Sequence, residues 1–321
     1  MLRNSADRRT LLWVLFAPVV VAVQYARPEL VPYLCVLSCY LALACGVIAH
    51  NHNHCSTFHS KRLNRVFANY ISVFYGYPTF AWIPTHNLNH HKFVNREGDA
   101  TISWRFTNRH NAFVAITYFF VSSYYQSKPI NDFIKAARAK NRTLYWQIMT
   151  QYAVWGGSYA ALLALAISMH GVRTGFYVFG FAVALPAFFS LWTIMLFNYD
   201  QHAHTDPFSE HSHSRSFVSF PVTFLLFNNG YHAAHHEHAG VHWSKLPALH
   251  AEIEPHIHPS LVQRSLAWYW FKQYALAPFF PSLGTVQLGP GPMNPPLSSK
   301  RPGGTPLVDE LDSALQADPA E

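Results

Sequence analysis

Four uncharged apolar stretches punctuate the chain: Thr10–Ala26, Leu30–His50, Thr143–Gly171 and Thr174–Tyr199. Each is long enough, or nearly so, to carry a helix across about 30 Å of hydrocarbon. Arg27, Pro28 and Glu29 separate the first two, and little more than Val172 and Arg173 separates the second two. The pattern predicts two helical hairpins. A fifth stretch, Asn111–Ser127, is apolar but leads into Lys128, Lys135, Arg138, Lys140 and Arg142. If it crossed, that basic cluster would lie on the outer side, against the excess of Lys and Arg expected on the cytoplasmic side. It is therefore expected to lie in the interface, as is Val66–Thr85, an aromatic-rich stretch interrupted by Gly76, Pro78 and Pro84.

With four spans, all 23 Lys and Arg except Arg27 and Arg173 fall on the cytoplasmic side, with both termini. Composition agrees: half of the residues are hydrophobic and 12% are charged, against about 25% charged in an ordinary soluble domain. A mean hydropathy of only +0.04 leaves room for a sizeable polar portion. The expected fold class is an all-α integral membrane protein. A domain of residues 1–283 would combine spans at about 10–26, 30–50, 143–171 and 174–199 with a cytoplasmic helical cap of residues 51–142 and 200–283. Residues 284–321, rich in Pro and Gly, are expected to be a disordered tail. The N-terminal run lacks a small-x-small cleavage site before the next apolar run, which argues against a signal peptide. Cys35, Cys39, Cys45 and Cys55 form no C-x-x-C, which argues against zinc-ribbon, iron–sulfur and disulfide frameworks. Basic loops facing anionic lipid account for the net charge of +7 without nucleic acid.

The 21 histidines change the picture most. They cluster where the predicted spans end: His50, His52 and His54; His86, His90 and His91; and His232, His235 and His236. His50 and His54 are four residues apart and share a helix face, whereas His52 points elsewhere. His202 follows Asn198 at the same spacing, at the exit of the last span. Neutral imidazole is the commonest metal ligand, and nine histidines exceed what one metal ion can take, so two ions are implied.

In order and context the three clusters resemble the histidine boxes of the membrane fatty-acid desaturase and hydroxylase superfamily. His50-Asn-His-Asn-His54, with Ser60-Lys-Arg-Leu-Asn64 downstream, resembles the first box. Trp82-Ile-Pro-Thr-His86-Asn-Leu-Asn-His90-His91-Lys-Phe-Val-Asn95 resembles the second, with one extra residue inside. Asn229-Gly-Tyr-His232-Ala-Ala-His235-His236, running on to Leu246-Pro-Ala-Leu-His250, resembles the third. The likeness extends from about Leu30 to His258. It implies that His50, His54, His86, His90, His91, His202, His232, His235 and His236 bind two iron ions, and that Asn198 approaches one of them through water. Asn51 stands where many members have Asp, and the longer second box leaves open which metal His86 and His90 each serve. Among the surplus histidines, His204 is the best candidate for supporting a ligand from behind.

The implied chemistry is oxygen-dependent, di-iron introduction of a double bond into a long acyl chain linked to CoA, carrier protein or lipid. Dioxygen is the co-substrate. The two electrons would come from a separate ferredoxin or b-type cytochrome with its reductase, steered by residues such as Lys61, Arg62, Arg65 and Arg138. The Tyr231–His250 context most resembles acyl desaturases. Hydroxylation of a sterol, carotenoid, alkane or acyl chain, or oxidative decarboxylation, is the alternative on the same fold. A divalent-metal transporter is a distant one, since its ligands belong inside spans rather than at their ends.

Overall fold

The computed structural model describes residues 1–291. The described chain is mostly helical, with one two-residue parallel strand pair, Ser216–Phe217 on Val262–Gln263. It forms two compact units, Met1–Ile83 with Asp132–Ile194, and Pro84–Asn131 with residues 195–291. The second unit takes in much of the predicted cap, but residues 51–83 and 132–142 fall in the first.

The first unit is built on α1 (Asp7–Ala26), α2 (Val31–His54) and α3 (Lys61–Tyr75). Pro28, just after the end of α1, cannot continue that helix, so a short turn separates α1 from α2. Polar side chains inside the bundle find each other: Gln24 Nε2 donates to Ser38 Oγ at 2.7 Å, and Trp13 Nε1 to Tyr40 Oη at 2.6 Å. Outward, α1 and α2 present Leu12, Leu15, Val19, Tyr33 and Val36, all exposed. A continuous apolar exterior of this kind needs lipid rather than water around it. Ser60 caps α3 by accepting from Leu63 N, and α3 stops at Gly76 in the left-handed conformation.

Among the described residues, three helical stretches are long and apolar enough to cross a membrane: Asp7–Ala26, Pro28–His54 and Arg142–His202. The last, at 61 residues, would extend about 90 Å if straight, three times the hydrocarbon thickness. It is not straight. Gly171 leaves the helical region at φ 76° and ψ 170°, a conformation open to glycine. Beyond it the chain returns along itself, and a Cβ on Gly175 would stand 2.6 Å from backbone atoms of Ile167. The helical stretch thus comprises α5 (Arg142–Phe179), a π-wound segment Gly180–Ala184, and α6 (Leu185–His202). The preceding helix, α4 (Ala112–Lys140), contains Pro129 and does not qualify as a span.

In the second unit a polar loop follows the second histidine cluster, and α7 (His232–Glu237) carries the third. Residues 284–291, assigned by composition to the tail, are hydrogen-bonded: Thr285 N donates to Gln273 Oε1 at 2.9 Å, and Thr285 Oγ1 pairs with His110 and His204. Backbone and side-chain polarity, which composition does not register, holds this segment. Residues 292–321 of the expected tail lie outside the described residues.

Candidate metal centre

The segment ending at His90, the end of α6 and α7 bring four imidazoles together within the second unit. His90, His202, His232 and His236 each offer a nitrogen, all within 4.8 Å of one another. His202 Nε2 lies 3.1 Å from His90 Nε2 and 2.9 Å from His232 Nε2, and His236 Nε2 lies 3.1 Å from His232 Nε2. Two metal–nitrogen bonds of about 2.1 Å at a right angle place their nitrogens about 3.0 Å apart. A second group has the same spacing: His91 Nε2 is 3.0 Å from both His86 Nε2 and His235 Nε2. In the first unit, the rings of His50 and His54 lie 4.8 Å apart on α2.

The extra residue in the second box is absorbed by winding. Ile83–His90 is a π-helix, whose wider turn brings positions five apart into phase. His86 and His91, five apart, therefore meet, and His90 faces the other group. His90 thus lies with His202, His232 and His236, while His86 and His91 lie with His235.

The tautomers show what the groups can hold. A backbone carbonyl only accepts, so His202, whose Nδ1 faces His213 O at 3.3 Å, carries its proton on Nδ1 and a lone pair on Nε2. His90 Nδ1 donates to Asp99 Oδ2 at 2.8 Å, which likewise leaves Nε2 for the centre. Facing lone pairs about 3 Å apart repel, and a cation between them removes the repulsion; a proton on one nitrogen relieves only the contacts it makes. Burial and the surrounding imidazoles hold His236 well below the usual histidine pKa, so neutral donors are favoured. An all-imidazole set without thiolate suits a first-row transition ion, and these residues fit one.

Asp99 is the principal orienting group, and sequence reasoning passed over it. Its side chain is fully buried and also accepts from Asn95 N at 2.8 Å and from Thr101 N and Oγ1 at 2.7 Å. Burial alone would raise its pKa; its pairing with His90 and the Thr101 donors outweigh that and bring it to about 2. Its signal was an acid nine residues after a candidate ligand, in a loop with no other use for a buried charge. Asn95, noted only as a motif position, ties the loop to α6 by donating from Nδ2 to His202 O at 3.0 Å. The turn that places it is strained: Val94 and Asn95 both have positive φ, 44° and 60°, costly for a β-branched residue.

A second buried acid, Asp200, anchors the end of α6. It receives Trp270 Nε1 at 2.7 Å, Tyr274 Oη, and His110 Nε2 at 3.2 Å. The buried Arg215 caps the same helix end by donating to the carbonyls of Asp200 and Ala203. The third box is aimed by Gly230, where any Cβ would fall 2.1 Å from Phe217 O.

Other expected residues take different places. His204 does not support a ligand: Nδ1 meets Thr285 at 2.9 Å and Nε2 meets Asn108 O at 2.6 Å, because its backbone at φ 59° turns the ring away from the cluster. The orienting role expected of it belongs to Asp99 and the carbonyl of His213. Asn198 donates to Tyr118 Oη at 2.9 Å. His52 is buried against Phe67, with Nδ1 accepting from Thr57 N, away from His50 and His54 as the helical phase predicts.

In comparisons with known proteins, a family profile described as fatty acid desaturase matches residues 28–280, well over half of the chain. No curated protein and no solved structure matches.

Proposed function

The chain belongs to the fatty acid desaturase family, and from that premise we propose that it is a membrane-bound di-iron enzyme inserting a double bond into a long acyl chain. The observation that carries this is the convergence of neutral imidazole nitrogens at metal-ligand spacing, His90 with His202, His232 and His236, and His86 and His91 with His235. The family resemblance assigns His50 and His54 to the iron ligands as well, and Asn198 to an approach through water. Bound there, two irons supply the redox chemistry that an unactivated C–H bond requires. The overall change balances as an acyl –CH2–CH2– plus dioxygen, two electrons and two protons giving –CH=CH– and two waters.

The chain's own residues orient and insulate. Asp99, the His213 carbonyl and the strained Val94–Asn95 turn fix ring directions before any metal arrives, so little reorganisation is left to the loaded state. Burial of His90, His202, His232 and His235 excludes water from competing reactions. The break at Gly171 and the length of Arg142–His202 support four membrane crossings in two hairpins, with the histidines and both termini on the basic, cytoplasmic side. Electrons come from a ferredoxin or b-type cytochrome with its reductase. Lys61, Arg62, Arg65 and Arg138, all exposed, are suited to steer an acidic donor.

The test is the purified protein in detergent with a reductant and acyl substrates. Two irons per chain, oxygen consumption, and a product lighter by two hydrogens are expected. A product heavier by one oxygen would make it a hydroxylase. Stoichiometric zinc, or turnover without oxygen, would refute both.

A further inference from the structure

His213 is a surplus histidine of the sequence, eleven residues past His202, and belongs to no box. Its side chain is only 5% exposed. Nδ1 faces the carbonyl of Glu210 at 3.0 Å, so it carries the proton and Nε2 carries the lone pair. That Nε2 is buried without a hydrogen-bond partner. A candidate partner is on the metal centre itself: the His213 and His236 rings lie 5.5 Å apart, perpendicular to each other. His236 Nε2 is turned to its partner ligands, so its Nδ1 carries the proton, and that Nδ1 is likewise buried and unpartnered. One orphaned acceptor and one orphaned donor thus sit on adjacent rings, close enough for facing nitrogens to reach hydrogen-bond range.

Leaving both unsatisfied carries the desolvation penalty of two buried polar groups. We propose that His213 is a positioning residue: its Nε2 accepts the Nδ1–H of His236, directly or through one water, and holds His236 in the tautomer that turns Nε2 into the metal site. The inference rests on the proposed metal centre. The backbone carbonyl of the same residue fixes His202, so a single loop position orients two ligands of one set, one from its main chain and one from its side chain. Partners behind metal-ligating histidines typically change metal affinity by about 10–100-fold when removed.

The experiment titrates full-length protein in detergent with Co(II) against a competing chelator and follows the visible ligand-field bands. The variants are His213→Phe, which fills the space without an acceptor, His213→Gln, whose amide oxygen reaches the Nε2 position, and His213→Asn, whose oxygen does not. The expected result is two Co(II) in the unsubstituted protein and one of them weakened about 10–100-fold with altered bands in Phe and Asn, with Gln close to the unsubstituted protein. If Phe does not fold when metal-free, as judged by circular dichroism, the contrast between Gln and Asn carries the test. Unchanged affinity in Phe and Asn, or equal losses in Gln and Asn, overturns the inference. Absence of Co(II) binding by the unsubstituted protein would instead overturn the metal centre.

Discussion

Replacing Asp99 by Asn keeps the shape of the side chain and removes its charge, which makes Asp99→Asn the sharpest test of how the centre is preset. The two carboxylate oxygens receive His90 Nδ1 and Asn95 N on one side, and Thr101 N and Oγ1 on the other. An amide has one acceptor oxygen. If its NH2 faces Thr101, the hydroxyl can turn to accept but the backbone N–H is left against a donor. If it faces His90, the imidazole must shift its proton to Nε2, where a metal ligand needs a lone pair. Leaving one buried N–H unsatisfied predicts a loss of about 1–3 kcal/mol in stability. Iron affinity should fall about 10–100-fold. The assays are denaturant or thermal unfolding of the metal-free protein, and iron content after dialysis against a chelator. Unfolding and iron retention indistinguishable from the unsubstituted protein would refute the argument that Asp99 holds His90.

Gly230→Ala should disrupt the third box, because its Cβ meets a backbone carbonyl rather than a movable side chain; loss of both folded yield and bound iron is expected, and a normal level of either would count against the packing argument. Burial lowers the pKa values of both His110 and His213 to about 4. Each then binds a proton more readily unfolded than folded, so metal-free stability should fall as pH drops from about 6.5 towards 4, by about 1.4 kcal/mol per pH unit for each group; a flat unfolding profile across that window would exclude buried neutral imidazoles. Truncation after Gly291 should preserve the unfolding midpoint, whereas truncation after Leu283 removes Thr285 and Gln287 from their hydrogen bonds to His110, His204 and Thr205 and should lower it; equal midpoints would show that those bonds contribute nothing.

Local pattern determined much of the chain. Uncharged runs of sufficient length specify α1, α2 and the two apolar runs on either side of Arg173 within Arg142–His202, because hydrocarbon tolerates neither charge nor open backbone. Helical spacing places His50 with His54 and turns His52 aside; the same regularity puts His232, His235 and His236 on one short helix. Grouping the imidazoles was beyond it. His90 reaches His202 across 112 residues, and only the π-winding of Ile83–His90 shows why His90 and His91, adjacent in sequence, serve different sets. The residues behind the ligands were equally hidden. Asp99, Asn95 and His213 act through loops with left-handed turns and long-range hydrogen bonds, whereas His204, close to His202 in sequence, is turned towards Thr285 by its own backbone. Periodicity is a property of neighbours along the chain, so the sequence by itself could determine which residues are candidate ligands. A buried hydrogen bond depends on where distant backbone finally comes to rest, and so only the tertiary structure decided how those ligands are held.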